Sequence, residues 1–248
     1  LPRHGKGHRL MPSEINHRAN IFAMKKIGVT HIISISAVGS LKEQLKPKDI
    51  VIVDQYLDRT KSSGEHSFFG DGIVAHIAFA DPVCPELANL AYETVSDITS
   101  KLKRKDKPRA HAGGTYVNME GPAFSTKAES ELYRSWGMDV IGMTNLGEAK
   151  LAREAEICYC TAAMVTDYDC WHPEHDSVTL ELIIQNLFAN VEIAKAMIAK
   201  IASRIHSLKR NCSCPNALKS AIITSPEYIS KNIKTRLEPI IGKYYPKE

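Results

Sequence analysis

The chain has 248 residues, 44% of them hydrophobic, with 32 Lys and Arg against 28 Asp and Glu for a net charge of +4. That is enough apolar material for the core of one α/β domain, and the charge excess is too small to indicate a nucleic-acid surface. No run approaches the roughly 20 apolar residues of a membrane span, and no charged leader precedes an apolar segment, so a soluble, cytoplasmic protein without membrane or nucleic-acid partners is expected.

In chain order, apolar periodicity of about 3.6 predicts a first helix over 13–26, and Val/Ile-rich runs predict strands at 31–36, 50–54 and 73–77. A helix follows over 85–103, closed by the basic run Lys101 to Arg109, whose cations suit the negative helix end. A strand at 115–119 leads to a helix at 126–136, which Thr126 and Glu129 open as a capping box. A strand at 139–143, a helix at 146–155, a strand at 157–166 and a long helix over 178–208 complete the alternation. Ile183, Leu187, Val191, Ala194, Ile198, Ile201 and Ile205 form the core-facing stripe of that long helix. Alternating strands and helices argue for a sheet, at least partly parallel, with helices on both faces.

Residues 1–208 read as the domain. Prolines 215, 226, 239 and 246 make 209–248 a tail with short helical pieces that packs on the domain or on a neighbour. Six cysteines are too few for a disulfide framework. Cys84, Cys158, Cys160 and Cys170 read as small buried side chains, and Cys212-Ser213-Cys214 as an exposed reduced pair that is also chemically able to bridge or to bind metal.

Several short motifs lie at expected strand ends. Arg3-His4-Gly5 offers a guanidinium beside an imidazole, suited to phosphate or carboxylate and equally to an exposed basic terminus. Ser34 to Ser40 reads as a strand opening into a small-residue turn able to cradle an oxyanion. Glu120-Gly121-Pro122-Ala123-Phe124-Ser125 supplies a carboxylate for sugar hydroxyls and a ring that either stacks on a base or staples a helix. Met143-Thr144 is an apolar surface and an anion donor, or a core Met and a helix cap. Finally, Thr166-Asp167-Tyr168-Asp169-Cys170-Trp171 ends an apolar strand on two carboxylates, which strand alternation puts on one side. Trp171 reads as packing. Asp169, His172 and His175 have zinc-ligand types, but Pro173 disfavours a shared helical face and no metal site is expected.

This order of motifs resembles the trimeric purine nucleoside phosphorylase family from Leu1 to about Ile205, with support from Asp81-Pro82-Val83-Cys84 and Leu151 to Ala155. The resemblance implies a three-layer α/β sandwich whose central mixed sheet is flanked by helices. It also implies a homotrimer or dimer of trimers, and no cofactor beyond inorganic phosphate as co-substrate. Arg3, His4, Ser36, Ala37 and Thr144 would bind phosphate. Phe124, Ser125 and Met143 would line base and ribose, and Asp167 and Asp169 would read the adenine edge, with Asp167 catalytic. His76 would lie near the 5′ end, and Leu180, Ile183 and Ile184 would wall a methylthio group; outside the resemblance His76 is a satisfied strand histidine and the three aliphatics are ordinary core.

The chemistry fits independently. Cleaving an N-glycosidic bond needs a proton for the departing purine and a nucleophile on the opposite face, and paired buried carboxyls retain a proton at neutral pH. Carboxylate acceptors favour the adenine amine over a 6-oxo group, since 6-oxopurine members have Asn at the Asp167 position. The expected reaction is phosphorolysis of 5′-methylthioadenosine to adenine and 5-methylthioribose 1-phosphate. Alternatives are broader purine nucleoside phosphorolysis, a phosphate-independent nucleosidase and an inactive homologue. Two departures from the family stand out: its first strand and glycine-rich phosphate turn are missing before Leu1, and Gly147 replaces the usual Pro or Gln.

Overall fold

A computed structural model describes residues 1–61, 66–103, 107–173 and 180–246, with the backbone alone over 180–183. Seven strands form one mixed sheet: β1 (His31–Ser40), β2 (Ile50–Val53), β3 (Gln55–Arg59), β4 (Ala110–Ala112), β5 (Thr115–Met119), β6 (Val140–Gly142) and β7 (Cys158–Asp167). Their order is β3-β5-β6-β1-β7-β2-β4, with β1/β7, β2/β4, β3/β5 and β5/β6 parallel and β1/β6 and β2/β7 antiparallel.

The ends of that order are covalently continuous. Only Asp54 separates β2 from β3, and only Gly113 and Gly114 separate β4 from β5. The two segments therefore cross from one end of the sheet to the other side by side, and the sheet curls on itself. Gly113 (φ +77°) makes this bend where a Cβ would lie 2.9 Å from Asp54 Oδ2. The Asp54 side chain in turn accepts the Gly114 N–H at 3.0 Å.

Side-chain alternation then sorts the layers. On β2 and β7, Ile50, Ile52, Cys158, Cys160, Ala162 and Met164 face α2 (Pro85–Ser100) and α5 (Leu180–Arg204). Val51, Val53, Ala163 and Val165 point the other way, into the curl, with Val38, Tyr116 and Val140. Past the curl, α1 (His17–Lys26) and α4 (Asn145–Glu154) pack on Ile157 and Tyr159. α3 (Lys127–Ser135) covers Val117 and Ile141 through Tyr133, and it starts on the expected Thr126/Glu129 capping box. This is the three-layer mixed-sheet architecture expected.

Three expectations change. The 73–77 run is no strand; only isolated bridges, Gly70 to Ile73 and Ala75 to Ile222, form there, because its pairing partner is the tail. Two strands escaped periodicity: β3, Gln-Tyr-Leu-Asp-Arg, is half polar, and β4 is three residues long. The small-residue stretch 36–40 is continuous strand, its register with β7 shifted between Val38 and Gly39.

The tail carries α6 (Lys231–Arg236) and α7 (Glu238–Ile241), and it packs into the layer of α1 and α4. Buried Glu156 anchors it, accepting from the Leu218 N–H, Lys243 Nζ and the Tyr244 hydroxyl. Among the described residues no helix is long and apolar enough to cross a membrane. Because Ile241 is 0% exposed, Ile241→Ala should lower the unfolding free energy by about 2–4 kcal/mol in urea titrations. A loss below about 0.5 kcal/mol would place the tail outside the cooperative core.

Candidate active site

Buried strands β1, β5, β6 and β7 end near one another, and there the sequence leaves polar side chains where the neighbouring positions are apolar. Asp167 closes β7 and is 7% exposed. Its Oδ2 accepts from the Thr166 hydroxyl at 2.6 Å and its Oδ1 from the Asp169 N–H at 2.8 Å. The two carboxylates are adjacent for a reason other than strand alternation: β7 ends at Asp167, and Asp169 lies in a left-handed turn (φ +53°) whose amide folds back onto Asp167. The shift that pairs Gly39 with Asp167 aims this end of β7 at β1. Glycine is required at 39, since a Cβ would sit 3.1 Å from Asp167 Oδ1 and 3.3 Å from Asp169 Cβ.

Burial pushes both carboxyls above the usual carboxylate range, and the Asp169 charge raises Asp167 further. Asp169 Oδ2 is buried without a hydrogen-bond partner among the described residues. This pair can therefore hold a proton and hand it over. The loop before α3 closes on the pair, the Cys170 thiol donating to the Ser125 carbonyl at 3.3 Å. Phe124 on that loop is 59% exposed, and Ser125 Oγ lies 3.8 Å from Met119 Sδ. Trp171 packs as expected: its Nε1 donates to the Ser40 carbonyl at 2.7 Å, and Arg134 lies 3.4 Å over its ring.

A second polar group lies where Ser36, midway along β1, meets Tyr116 of β5 and Thr144 just after β6. Tyr116, 0% exposed, places its hydroxyl 3.3 Å from Ser36 Oγ, and the Thr144 backbone N–H donates to it. Thr144 precedes α4 but does not cap it with its side chain. Asn118 Oδ1 does so instead, accepting from the Asn145 and Leu146 N–H groups at 3.0 Å each. The Thr144 hydroxyl is thus left for an anion at a helix N-terminus. Met143 lies beside Gly121, where a Cβ would come within 2.6 Å of its sulfur, and Ala37 is exposed on β1.

Arg3 reaches the same region but is heavily engaged. It donates from Nε to Glu148 (2.6 Å), from Nη2 to Ser34 (2.5 Å) and Glu148 (3.2 Å), and from Nη1 to the Ile35 carbonyl (3.4 Å). A guanidinium has five N–H donors, so one Nη1 hydrogen remains. Burial alone would lower the Arg3 pKa, but the Glu148 charge and hydrogen bonds raise it. Glu148 is likewise pushed up by burial and pulled below its ordinary value by Arg3. His4 bonds the Leu10 carbonyl through Nδ1 at 2.8 Å and stacks on His8 at 4.1 Å. The carbonyl only accepts, so Nδ1 carries the hydrogen; burial, ahead of the neighbouring cations, lowers the ring's pKa.

Not every expected residue converges. His76 donates its backbone N–H to Ala221 at 2.8 Å, against the tail rather than at the paired aspartates. Ile184 is 40% exposed on α5, while the side chains of Leu180 and Ile183, and all of His175, lie outside the described residues. His172 pairs with Glu43 at 3.3 Å and stacks on Tyr168. Tyr116, Asn118 and Glu148 were missed, although Tyr116, Asn118 and Glu120 alternate on one strand face, a polar pattern in an otherwise apolar run.

An acid whose folded pKa is raised favours folding below its unfolded pKa and loses that contribution as pH rises through the folded value. Asp169→Asn should therefore stabilise the protein by about 1 kcal/mol at pH 8, with little effect at pH 3, in melting curves across that range. Equal stability of the two proteins at pH 8 would show that the Asp169 charge is solvated.

A family model described as the phosphorylase superfamily matches residues 1–205. The S-methyl-5′-thioadenosine phosphorylase of Gloeobacter violaceus is 56% identical over 98% of this chain and 80% of its own length, and that of Geobacter sulfurreducens 54% over 98% and 82%. A crystal structure of a methylthioadenosine phosphorylase from an antarctic soil metagenomic library superposes with a TM-score of 0.88 at 48% identity, covering 97% of this chain and 82% of that one. A variant adenosine/methylthioadenosine phosphorylase from Schistosoma mansoni, in complex with methylthioadenosine, has a TM-score of 0.79 at 33% identity, covering 89% of this chain and 79% of that one. By matched length, identity and fold, the chain belongs to the phosphorylase superfamily and, within it, to the family of the S-methyl-5′-thioadenosine phosphorylases.

Proposed function

We propose that the chain cleaves 5′-methylthioadenosine with inorganic phosphate, yielding adenine and 5-methylthioribose 1-phosphate, without a further cofactor. The carrying observation is the buried Asp167/Asp169 pair, its carboxyls raised by burial, at the end of β7 beside β1, the strand that also sets Ser36 against Tyr116. A phosphate oxygen attacks the anomeric carbon as the bond to purine N9 breaks. The bonding electrons pass into the ring, and protonated Asp167 supplies the proton to N7. Asp169 accepts from the exocyclic amine, and Phe124, Ser125 and Met143 hold base and ribose.

Phosphate binds between Ser36 and Thr144, with the N-terminus of α4 and the last Arg3 hydrogen supplying positive potential. Neutral His4, with Nδ1 bound to Leu10, presents Nε2 as an acceptor for a protonated phosphate oxygen. Ile184 and Phe188, one turn apart on α5 and 40% and 69% exposed, support association with further copies, proposed as a trimer or dimer of trimers. Cytoplasmic residence belongs to the same proposal.

Incubation of the protein with methylthioadenosine should release adenine only when phosphate is present; equal release without it would overturn the phosphorylase reading. Asp167→Asn should cut turnover about 100-fold or more and erode the preference for adenosine over inosine. Tyr116→Phe should raise the phosphate KM about 3- to 10-fold with the nucleoside KM unchanged. An unaltered phosphate KM would remove Tyr116 from the phosphate cradle.

A further inference from the structure

At the opposite end of β7 from Asp167, four thiols come together from three parts of the chain. Cys84 is the residue before α2, its N–H donating to the Tyr159 carbonyl at 2.9 Å. Cys158 opens β7, and Cys212 and Cys214 lie where the chain leaves α5 for the tail. The expectation of an exposed pair fails for Cys214, which is 2% exposed and part of the α2/α5 core cluster. All four Sγ atoms lie within 4.8 Å of one another, and Cys158 and Cys212 are 3.5 Å apart.

We propose that Cys84, Cys158, Cys212 and Cys214 form a tetrathiolate site for one structural Zn²⁺. Tetrahedral zinc with Zn–S bonds of about 2.3 Å sets its sulfurs about 3.8 Å apart, within the spacing found here. All four cysteines are free thiols. Four soft sulfurs in a tetrahedral set select zinc among common divalent ions, and their compactness suits a single ion rather than a cluster. Binding releases four thiol protons to solvent and leaves a net charge of −2. Two cations are already in place to offset it: Arg153 Nη1 reaches Cys214 Sγ at 3.8 Å, and Arg210 hydrogen-bonds Cys158.

No open position or substrate is needed, because nine strand residues place the site about 30 Å from Asp167. Its work is mechanical: the ion ties the start of the tail to α2 and β7, and native-state binding adds to stability. The site is independent of the reaction proposed above.

The test is the full chain, purified without metal-affinity steps from zinc-supplemented cells and assayed by elemental analysis and intact mass. About one zinc per chain is expected. Replacing it with Co²⁺ should give a thiolate-to-metal charge-transfer band with tetrahedral d–d bands. Cys212→Ser, which alters the one partly exposed ligand, should lose the zinc and the cobalt spectrum and melt at lower temperature, while methylthioadenosine turnover at 25 °C persists. Metal-free protein with all thiols alkylatable would overturn the proposal. So would a mass lowered by two or four hydrogens, which marks disulfides, or zinc retained by Cys212→Ser.

Discussion

The constraint on which the molecule depends is that β7 is buried on every residue from Cys158 to Asp167. A strand covered on both faces has to satisfy its backbone entirely from neighbours, and β1 in parallel and β2 in antiparallel do so. Its side chains must then be small or apolar toward α2 and α5 and toward the curl. Carboxyls stand at one end and thiols at the other, and between them buried Thr161 accepts from the Asn145 amide at 2.6 Å.

The Arg3, Glu148, Ser34 and Tyr159 network lies toward the start of β7, where Ser34 pairs with Thr161. Glu148 is mostly buried, and the Arg3 guanidinium and the Tyr159 hydroxyl keep it ionised there. The same network joins the start of the chain, β1, α4 and β7, so the charge near the proposed phosphate cradle also fixes the helix whose N-terminus would form it. Removing either charge would leave the other buried and unpaired, which is costlier than the pair itself is stabilising.

Much of this was legible in the sequence. The Thr126 capping box rests on a local rule and holds, whereas the aspartates meet through the turn at Asp169 rather than by strand alternation, and on α5 Ile193 and Met197 are buried while the expected Ile198 is 46% exposed. What stayed hidden depends on partners distant in sequence. The 73–77 run has strand composition but forms only isolated bridges, to Gly70 and to the tail, and β3 reads as polar because it lies at a sheet edge. Arg3 was readable as an anion ligand, yet its buried partner Glu148 stands 145 residues away and no spacing rule connects them. Cys84 and Cys158 looked like ordinary core because their relation to Cys212 and Cys214 exists only once the tail folds back.

The curl has a consequence at the sheet's margins. Its outermost strands are β4, three residues long, and β3, which ends on Asp58 and Arg59. A strand so short offers an intruding chain little backbone to copy, and charges on the other resist being covered. Self-association by strand addition is thereby disfavoured, and the proposed contact between copies would fall to helical surfaces, where side-chain shape can choose the partner.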